Sequence, residues 1–543
     1  MADRSSNLFD GFSSSAERFP DRPALEVGGE VYAYSRLRRL VHAMASSIAD
    51  SCPSLNPPRV AILAERSPIA YQGILAALSL GYSYVPLSPQ FPPRRLQTML
   101  ERSRCQVVVA DAGIEALLVD VLDAIETPLT VIGAPGVNEK DLAERLPRHR
   151  FLSARQETAA DEPLEFPESR PVSEKDMAYL MFTSGSTGVP KGVMVTHGNV
   201  AHFLDFVGAR YGLSHEDRFS QMFDLVFDLS VFDLFAAWRV GGCVCVPARS
   251  ELLTPARFIT ESRLTVWFSV PSVAGLMSRL RLLESGTLPG LRLSLFCGEA
   301  LTAEVTRAWS EAAPHSIVEN LYGPTELTLS CTYYRWDGEP SRTLSHRGVV
   351  PIGFPFPDCD VLVVDDALRP VPDGEPGELL MAGPQVALGY LDEPEKTANA
   401  FVVPPGRKET YYRTGDRVFR QSPDGPLHFL GRMDHQLKVR GNRLELGEVE
   451  AALRKVTGTD AVAAVGWPIT EAGADGIVAF VLADAVDVAR LRAELGKILP
   501  PFAIPREIRA VEFLPLNPNG KLDRAVLKEW CNTRASPKIS ALR

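Results

Sequence analysis

A run of small, hydroxylated and glycine residues beside a single lysine is the most chemically informative feature of this sequence. It reads TSGSTGVPKG over residues 183–192. Glycines permit left-handed backbone angles, so that successive amide N–H groups can converge on an anion. The serine and threonine hydroxyls add further donors, and Lys191 adds a positive charge. The run therefore predicts a phosphate-binding loop, and ATP is the expected ligand.

Two other interpretations fit the residues of this loop less well. A Walker A loop reads GxxxxGK followed by Ser or Thr, whereas here Pro190 precedes the lysine and Gly192 follows it. The second interpretation is a flexible Gly/Ser linker. Linkers seldom lie between two apolar runs, and here YLMF at 179–182 precedes the loop and VMV at 193–195 follows it.

The composition is that of an ordinary enzyme with more than one domain. The chain has 543 residues, 45% hydrophobic and 23% charged, and one hydrophobic core stops growing well below this length. A net charge of −10 provides no broad basic face, which argues against nucleic acid as a partner. No apolar run approaches the roughly 18 residues that span a bilayer, and the first residues are polar. We therefore expect a cytoplasmic protein with no membrane partner.

Cysteine and histidine usage argues against metal centres built from these residues. The eight cysteines are scattered, with only Cys243 and Cys245 close together, and the nine histidines form no HExxH-type cluster. We expect reduced, mostly buried thiols and no transition metal held by the protein.

Alternating apolar and amphipathic segments must position the phosphate loop. VAILA at 60–64, the stretch at 74–80 and VVVA at 107–110 follow the βαβ rhythm of a largely parallel sheet covered by helices. The sequence therefore predicts an α/β fold.

A boundary between two domains is expected near residues 431–434. Short strand-like pieces precede this point, and a helix candidate at 447–455 follows it. Towards the end of the chain an Asn-Gly turn would project Lys521 from a tight loop.

Several further motifs follow one another in a definite order. They are GYSYVPL at 81–87, NLYGPTE at 320–326, YYRTGD at 411–416, GRMDHQLKVRGNRLELGE at 431–448 and NPNGKLDR at 517–524. With the phosphate loop, this ordered set resembles the adenylate-forming superfamily over nearly the whole chain. In particular it resembles the stand-alone amino-acid adenylation domains of nonribosomal peptide synthesis and is similar to D-alanyl and prolyl carrier-protein ligases.

The resemblance implies a division of the chain into two domains. Residues 1–432 would form an N-terminal adenylation core of two helix-flanked sheets and a small barrel-like part. Residues 433–543 would form a smaller, mobile α+β domain that swings about a hinge at Asp434.

The resemblance also implies where ATP and Mg²⁺ would be held. Tyr322 would stack on adenine, Asp416 would accept hydrogen bonds from the ribose with Arg432 nearby, and Glu326 would hold Mg²⁺. The implied ATP and Mg²⁺ set is Thr183, Ser184, Gly185, Ser186, Thr187, Gly188, Tyr322, Gly323, Thr325, Glu326, Asp416 and Arg432.

Two half-reactions follow from the resemblance. A substrate carboxylate would first attack the α-phosphate of ATP, with Lys521 and Lys191 as the catalytic cations. A thiol would then displace AMP after the C-terminal domain has withdrawn Lys521 and brought Gly441 to the thiol's entry tunnel.

The residues that would line the substrate pocket indicate a small neutral amino acid. They are Asp228, Leu229, Phe232, Ser269, Leu295, Cys297, Gly298, Leu321, Leu329 and Ser330, together with Lys521. A buried carboxylate at Asp228 needs a cation, and an α-ammonium group would supply one. Bulk at Leu321 and Leu329 favours a short side chain, which leaves alanine, proline, cysteine, serine or a small non-proteinogenic amino acid open.

The expected thiol belongs to a phosphopantetheinylated carrier protein acting in trans, with a small activator protein as a possible second partner. Only about twenty residues follow Asp523, too few for a carrier domain. Such a ligase would serve the biosynthesis of an antibiotic or another secondary metabolite. Two alternatives remain: a coenzyme A ligase for a small carboxylic acid, and a binding protein that has kept the fold without the chemistry.

Overall fold

The structure is a computed structural model that describes residues 7–52, 55–157, 164–185, 189–433, 436–470, 473–515 and 522–533. It has a larger lobe, up to residue 433, and a smaller lobe from residue 436 onwards.

The larger lobe contains strands of three sheets. They are β1 (Pro23–Val27), β2 (Glu30–Ala33), β3 (Arg59–Leu63), β4 (Ser83–Leu87), β5 (Val107–Ala110), β6 (Thr130–Gly133), β7 (Arg150–Ser153), β8 (Met177–Thr183), β9 (Lys191–Thr196), β10 (Arg218–Ser220), β11 (Cys243–Cys245), β12 (Val266–Ser269), β13 (Leu293–Phe296), β14 (Ile317–Tyr322), β15 (Thr332–Arg335), β16 (Phe354–Pro355), β17 (Asp360–Val364), β18 (Gly377–Ala382), β19 (Gly389–Tyr390), β20 (Phe401–Val402), β21 (Tyr411–Phe419) and β22 (His428–Arg432).

Helices cover both faces of the two largest sheets. They are α1 (Phe9–Arg18), α2 (Tyr34–Ser51), α3 (Pro68–Ser79), α4 (Pro93–Ser103), α5 (Glu115–Leu122), α6 (Glu139–Arg145), α7 (His197–Tyr211), α8 (Leu229–Val231), α9 (Ala237–Val240), α10 (Pro255–Glu261), α11 (Pro271–Arg279), α12 (Ala303–Ala312), α13 (Glu339–Leu344) and α14 (Pro394–Ala400). A π-helical turn at Phe232–Ala236 joins α8 to α9, and 3₁₀ turns lie at Glu251–Leu253 and Thr325–Leu327.

The smaller lobe begins with a β-hairpin and alternates strands with helices. Its elements are β23 (Gln436–Val439), β24 (Asn442–Glu445), α15 (Leu446–Thr457), β25 (Val462–Gly466), β26 (Ile469–Thr470), β27 (Gly473–Ala474), β28 (Ile477–Leu482), α16 (Val488–Leu495), a 3₁₀ turn (Pro501–Ala503), β29 (Glu507–Val511) and α17 (Arg524–Thr533).

Two large sheets form the core of the larger lobe. One has the strand order β19-β9-β8-β4-β3-β5-β6-β7, with parallel pairing from β8 to β7. The other has the order β16-β15-β14-β13-β12-β10-β11-β1-β2 and is parallel from β14 to β1. The central strands are buried on both faces, as is usual for parallel sheets between helices. This confirms the predicted α/β fold, including strands at 60–64 and 107–110 and a helix over 74–80.

A smaller sheet of strands β17, β18, β20, β21 and β22 forms the third part of the larger lobe, where a barrel-like part was expected. The smaller lobe holds its own two sheets, ordered β24-β23-β27-β26 and β25-β28-β29. The helix candidate at 447–455 lies within α15. The expected hinge, Asp434, lies outside the residues that the structure describes, and the domain boundary at 432/433 remains a prediction.

A buried ion pair joins the two lobes. Arg95 of α4 donates to the Glu448 carboxylate of α15, and the side chains are 6% and 3% exposed. The pair is only partly satisfied, because Arg95 Nε and Glu448 Oε2 are buried without a hydrogen-bond partner. Burial raises the pKa of Glu448, whereas Arg95 opposes this shift.

None of the described helices is long and apolar enough to cross a membrane. All eight cysteines are free thiols, and six of them are buried. In the described part of the chain, Glu26, Cys243 and Cys245 form a group of three potential metal ligands, but Glu26 is paired with Arg218 at 2.5 Å.

Glu319 fixes the strand that leads into the NLYGPTE motif. Its carboxylate is fully buried in β14 and accepts hydrogen bonds from Arg210, Tyr211 and Arg335 at 2.7 to 2.9 Å. Because two cations and a buried hydroxyl depend on this carboxylate, its loss leaves all three without their acceptor.

We expect Glu319→Gln to lower the stability of the larger lobe by about 2–3 kcal/mol. The loss is not larger because both arginines remain partly hydrated. The measurement is the urea midpoint followed by tryptophan fluorescence. Glu261→Gln is the matched control, because Glu261 lies in an exposed i,i+4 pair with Arg257 and should leave the midpoint unchanged. Equal midpoints for the two variants would show that Glu319 has no structural role.

Candidate active site

The phosphate loop joins two strands that pair antiparallel. β8 ends at Thr183 and β9 begins at Lys191, and these two residues face each other across the ladder. A Cβ atom on Gly185 would lie 2.2 Å from the carbonyl oxygen of Val189, so only glycine allows the loop to close here. The Thr183 hydroxyl is buried with no partner among the described residues, which leaves it available to a ligand. Three predicted phosphate contacts, Ser186, Thr187 and Gly188, lie outside the described residues.

Lys191 and Glu326 meet at the end of this loop. The Lys191 ammonium lies 3.1 Å from Glu326 Oε1 and 3.0 Å from the Tyr390 hydroxyl, which itself donates to Glu326 at 2.8 Å. The ammonium also lies 4.3 Å from the centre of the Tyr390 ring. Glu326 Oε2 accepts a hydrogen bond from Arg443 of the smaller lobe at 2.7 Å.

This arrangement keeps Glu326 ionised although the carboxylate is completely buried. Burial opposes ionisation, but Arg443 and Lys191 outweigh it and hold the pKa of Glu326 well below its ordinary value. Burial likewise lowers the pKa of Lys191, and Glu326 opposes that shift. A buried, ionised carboxylate beside a phosphate loop fits the ligand preference of Mg²⁺, which takes one or two carboxylates together with phosphate oxygens.

A second cluster joins the expected adenosine-binding residues. The Tyr322 hydroxyl donates to Asp416 of β21, and Arg432 of β22 donates to the other Asp416 oxygen at 2.9 Å. Arg432 also donates to the Thr414 carbonyl at 2.6 Å. Neighbouring Gly323 packs so closely that a Cβ atom would lie 2.5 Å from Ser330 Cα. The structure thus brings Tyr322 to Asp416 and Arg432, which face each other on the paired strands β21 and β22, and all three were expected to share one site.

The expected substrate pocket lies where parallel strands end side by side. Ser269 ends β12 and is in register with Phe296 of β13, which in turn is in register with Asn320 of β14. Cys297 and Leu321 therefore lie at the carboxyl ends of adjacent strands. In open α/β sheets this edge is where ligands bind.

Asp228 lies beside these strand ends, at the start of the helical segment that contains the π turn. The side chain is 7% exposed, and Oδ2 accepts the Leu329 N–H at 3.3 Å. No ion pair of the described residues includes Asp228. Burial raises the pKa of Asp228 to about 6, against hydrogen bonds from Thr325 and Leu329 that lower it. A buried carboxyl group without a charged partner is therefore present where the ammonium of an amino acid was expected.

The backbone near Asp228 adopts an unusual conformation. Thr328 and Leu329 have φ angles of 56° and 66°, a left-handed region that side-chain-bearing residues seldom adopt. This conformation directs the Leu329 N–H at Asp228. Strained backbone concentrates at ligand sites, and π turns such as that at Phe232–Ala236 do so as well.

The pocket walls are almost entirely apolar. Six of the expected residues belong to one buried hydrophobic cluster: Leu229, Phe232, Leu295, Cys297, Leu321 and Leu329. The Ser269 hydroxyl is occupied by Trp267 and the Val270 carbonyl. The Ser330 hydroxyl is buried without a partner in the described structure. Apart from Asp228 and Lys521, none of the predicted pocket residues carries a full charge, and Lys521 lies outside the described residues. The partly buried Lys438 of β23 lies near one of these residues, Cys297.

The hairpin β23–β24 of the smaller lobe reaches into this site. A Cβ atom on Gly441, at the hairpin turn, would lie 2.7 Å from Val270 Cγ1, so glycine permits this close approach. Gly298 also lies against Val270, with 3.2 Å between its notional Cβ and Val270 Cγ1. Glu299 accepts the Ser272 N–H at 2.8 Å and a hydrogen bond from the Gly441 backbone. Gly441 therefore lies at the border of the expected substrate pocket.

Sequence reasoning missed two contributors and assigned no site role to a third. Tyr390 binds both Lys191 and Glu326. Lys438 lies near Asp416 and the Cys297 thiol; burial lowers the pKa of Lys438, and the Asp416 carboxylate opposes this shift. Arg443 was included only as part of the GRMDHQLKVRGNRLELGE motif at 431–448. For Tyr390 the available signal was VALGY at 386–390, in which a tyrosine hydroxyl directly follows a glycine.

A cleft of about 280 Å³ lies beside Glu326, between the phosphate loop, β21 and the hairpin. Its lining includes five cations, Lys191, Lys396, Arg413, Arg432 and Arg443, and two acids, Glu378 and Glu445. These cations could serve a phosphate-bearing ligand, but in this structure each is paired with a carboxylate: Lys191 and Arg443 with Glu326, Lys396 with Glu393, Arg413 with Glu378 and Arg432 with Asp416.

Comparison with known proteins agrees with this geometry. The sequence profile described as AMP-binding enzyme matches residues 12–391, and that of the AMP-binding enzyme C-terminal domain matches residues 448–521. A dimodular nonribosomal peptide synthase from Bacillus subtilis (strain 168) is 33% identical over 530 residues, which cover 96% of this chain. The chain spans only 21% of the length of that relative.

Two solved structures extend the comparison. The Vibrio cholerae adenylation domain AlmE, in complex with glycyl-adenosine-5′-phosphate, is 31% identical with a TM-score of 0.86, and the match covers 98% of this chain and 99% of AlmE. The artificially fused adenylation–PCP di-domain NpsA-ThdA from Klebsiella oxytoca is 26% identical with a TM-score of 0.76, covering 94% of each chain. The chain therefore belongs to the AMP-binding enzyme family, as an adenylation domain of the adenylate-forming superfamily and an AMP-forming ligase.

Proposed function

We propose that this protein activates a small neutral amino acid with ATP and transfers the aminoacyl group to the phosphopantetheine thiol of a separate carrier protein. The observation that carries the proposal is Asp228, a buried carboxyl group that forms no ion pair with the described residues, although Arg443 acts on its pKa at longer range.

An α-ammonium group is the cation that best satisfies Asp228. A buried carboxylate is costly without a charged partner, and an aryl or fatty acid would not supply one. An amino acid would place its ammonium against Asp228 and its carboxylate towards the phosphate loop. The complex of AlmE with a glycyl adenylate supports the same class of substrate.

The apolar walls support a short, uncharged side chain. Leu321 and Leu329 narrow the pocket, and the buried Ser330 hydroxyl offers one hydrogen-bonding group. One methylene changes binding in such a pocket by only about 1–3 kcal/mol, so alanine, proline, cysteine and serine remain candidates beside glycine.

The nucleotide would lie across the two polar clusters. Tyr322 would contact adenine, Asp416 with Arg432 the ribose, and Thr183, Ser184 and Lys191 the phosphates, with Thr325 and Gly323 in the same motif as Tyr322; the Tyr322–Asp416–Arg432 hydrogen bonds and the unpartnered Thr183 hydroxyl support this. Glu326 would hold Mg²⁺, which would neutralise charge on the phosphates.

The first half-reaction needs positioning and charge neutralisation more than covalent help from the protein. A carboxylate oxygen of the amino acid attacks the α-phosphorus, and the bond to the pyrophosphate oxygen breaks. Lys191 is close to the phosphate loop, and Lys521 would bridge the substrate carboxylate and the α-phosphate where negative charge develops.

In the second half-reaction the carrier thiol, as thiolate, attacks the carbonyl carbon of the adenylate, and AMP leaves with the bridging oxygen. The thiol needs a path to that carbon, and Gly441 with Val270 would border it, since the hairpin meets the pocket there. The fusion of NpsA to a PCP domain supports a carrier protein as the thiol donor. A domain swing about Asp434 would alternate the two half-reactions.

A coenzyme A ligase for a small carboxylic acid is the second candidate. The fold alone permits it, but Asp228 would then face an uncharged part of the substrate. The comparison of free coenzyme A with a phosphopantetheinylated carrier as thiol acceptor separates the two functions.

The decisive experiment is ATP/pyrophosphate exchange driven by each proteinogenic amino acid, both enantiomers of alanine and proline, and the deaminated acids. One small neutral amino acid should give a clear maximum. Exchange driven only by deaminated acids would overturn the proposal in favour of the coenzyme A ligase.

Because the pKa of Asp228 is raised to about 6, the pH dependence of activation should report its ionisation. The ammonium needs the ionised carboxylate, so kcat/KM for the amino acid should fall about tenfold per pH unit below about pH 6. In Asp228→Asn this fall should vanish, and kcat/KM at pH 8 should drop about 10- to 100-fold. Deaminated substrates are the control, since the substitution should not impair their activation. An unchanged preference for amino acids would contradict the assignment.

Lys521→Ala should reduce exchange by about 100-fold or more while ATP binding is retained, because its charge acts on the transition state. The matched control is Lys528→Ala on α17, just beyond the same motif. Exchange near the wild-type rate in Lys521→Ala would refute the catalytic role.

A further inference from the structure

Gln385 is a buried amide side chain to which the proposed function gives no role. Its terminal nitrogen lies 3.2, 3.0 and 2.7 Å from the carbonyl oxygens of Leu327, Thr328 and Ser330. An amide nitrogen has only two N–H donors, so the three carbonyls share them. Buried backbone carbonyls need donors, and these belong to a turn between the 3₁₀ turn and β15. One side chain therefore holds the turn at 327–330 closed.

The orientation of the Gln385 amide is fixed from its other end. His202 Nδ1 lies 3.1 Å from Gln385 Oε1. Because a carbonyl oxygen only accepts hydrogen bonds, Nδ1 is the donor, and the amide nitrogen must face the turn. The Thr328 hydroxyl donates to the backbone carbonyl of Gln385 at 2.8 Å. The turn and Gln385 thus hold each other by hydrogen bonds in both directions.

The backbone on both sides of Gln385 is anchored to the start of α7. The Asn199 side-chain amide donates to the carbonyl oxygens of Pro384 at 2.6 Å and Val386 at 3.1 Å. Asn199 itself belongs to the capping box that Thr196 forms at the start of this helix. Gln385 therefore extends from a rigid support towards the turn.

The turn carries the backbone contact to Asp228. Thr328 and Leu329 have left-handed φ angles, which side-chain-bearing residues keep only where their surroundings impose them. In this conformation the Leu329 N–H lies 3.3 Å from Asp228 Oδ2. Without the Gln385 donors, three carbonyl dipoles would face one another unsatisfied, and the turn would relax away from Asp228.

We infer that Gln385 is a positioning residue for the α-ammonium group of the substrate. It acts through the turn at 327–330, which keeps the Leu329 N–H on Asp228 and holds the pocket walls Leu329 and Ser330 in place. A carboxylate with one oxygen bound to the backbone presents the other in a fixed direction, so the position of the ammonium is fixed as well. This inference rests on the proposed function for the presence of an ammonium group.

Gln385→Met removes both donors at nearly unchanged volume. We expect KM for the amino acid to rise about 10-fold or more, with a smaller loss in kcat, since the ammonium contact exists before and during the reaction. The preference for the amino acid over its deaminated analogue should fall by a similar factor, and KM for ATP should stay within about twofold. Gln385→Glu is the second variant, because it keeps the size of the side chain but turns carboxyl oxygens towards the three carbonyls. The measurement is pyrophosphate exchange with both substrates.

Asp217→Asn is the control for general destabilisation. Asp217 is buried and paired with Arg292, and it directly precedes β10, at the amino edge of the sheet whose carboxyl edge forms the expected pocket. This variant should lower the urea midpoint without changing the preference for the amino acid. An equal loss of preference in Asp217→Asn, or no loss in the Gln385 variants, would overturn the inference.

Hydrogen exchange of a peptide spanning residues 326–332 provides a readout that needs no substrate. In Gln385→Met this peptide should exchange about 10-fold faster or more, while α7 keeps its protection. If the wild-type protein activates only deaminated acids, the proposed function fails, and faster exchange in Gln385→Met would still assign control of the turn to Gln385. If amino acids are activated normally and both the turn and the preference keep their wild-type values in Gln385→Met, the inference fails alone.

Discussion

The buried carboxylate of Glu326 is the group on which the site depends. It follows the end of β14, and it gathers Lys191 from the phosphate loop, Tyr390 from a short edge strand and Arg443 from the other lobe. A charge at this depth is stable only when cations and hydroxyls replace its lost hydration. The need to stabilise the Glu326 charge therefore fixes the phosphate loop, the edge strand and the hairpin of the smaller lobe relative to one another.

The expected substrate pocket contains a second buried carboxyl group, Asp228, which lacks such a cation among the described residues. Asp228 receives hydrogen bonds from Thr325 and Leu329 but no cation from the described residues, and two left-handed residues hold the backbone around it. Glu326 and Asp228 lie in neighbouring parts of one fold, yet their pKa values shift in opposite directions. Cations hold the pKa of Glu326 well below its ordinary value, whereas burial raises the pKa of Asp228 to about 6, a shift that a cationic ligand would oppose.

Local sequence patterns predicted many of the strands and helices of the fold. Continuous apolar runs such as 60–64 and 107–110 are β3 and β5, and the helix expected at 447–455 lies in α15. The ordered motifs also predicted one site for Tyr322, Asp416 and Arg432. Asp416 and Arg432 meet across neighbouring strands, but Tyr322 is 94 residues from Asp416, and no local pattern could predict that contact. What the sequence could not provide was the pairing between distant elements. Lys191 and Glu326 are 135 residues apart, and Glu326 and Arg443 are 117 apart, so their contact depends on strand order and on the relative position of the lobes.

The partly satisfied ion pair between Arg95 and Glu448 bears on how firmly the two lobes adhere. Each ion loses its hydration when the lobes meet, while one nitrogen and one oxygen of the pair gain nothing in return. Such a contact selects one orientation sharply but adds little net affinity, since desolvation offsets most of the attraction. An enzyme whose lobes separated and reassociated in every turnover would need a contact of this kind, which fixes the relative orientation of the lobes and costs little free energy to break.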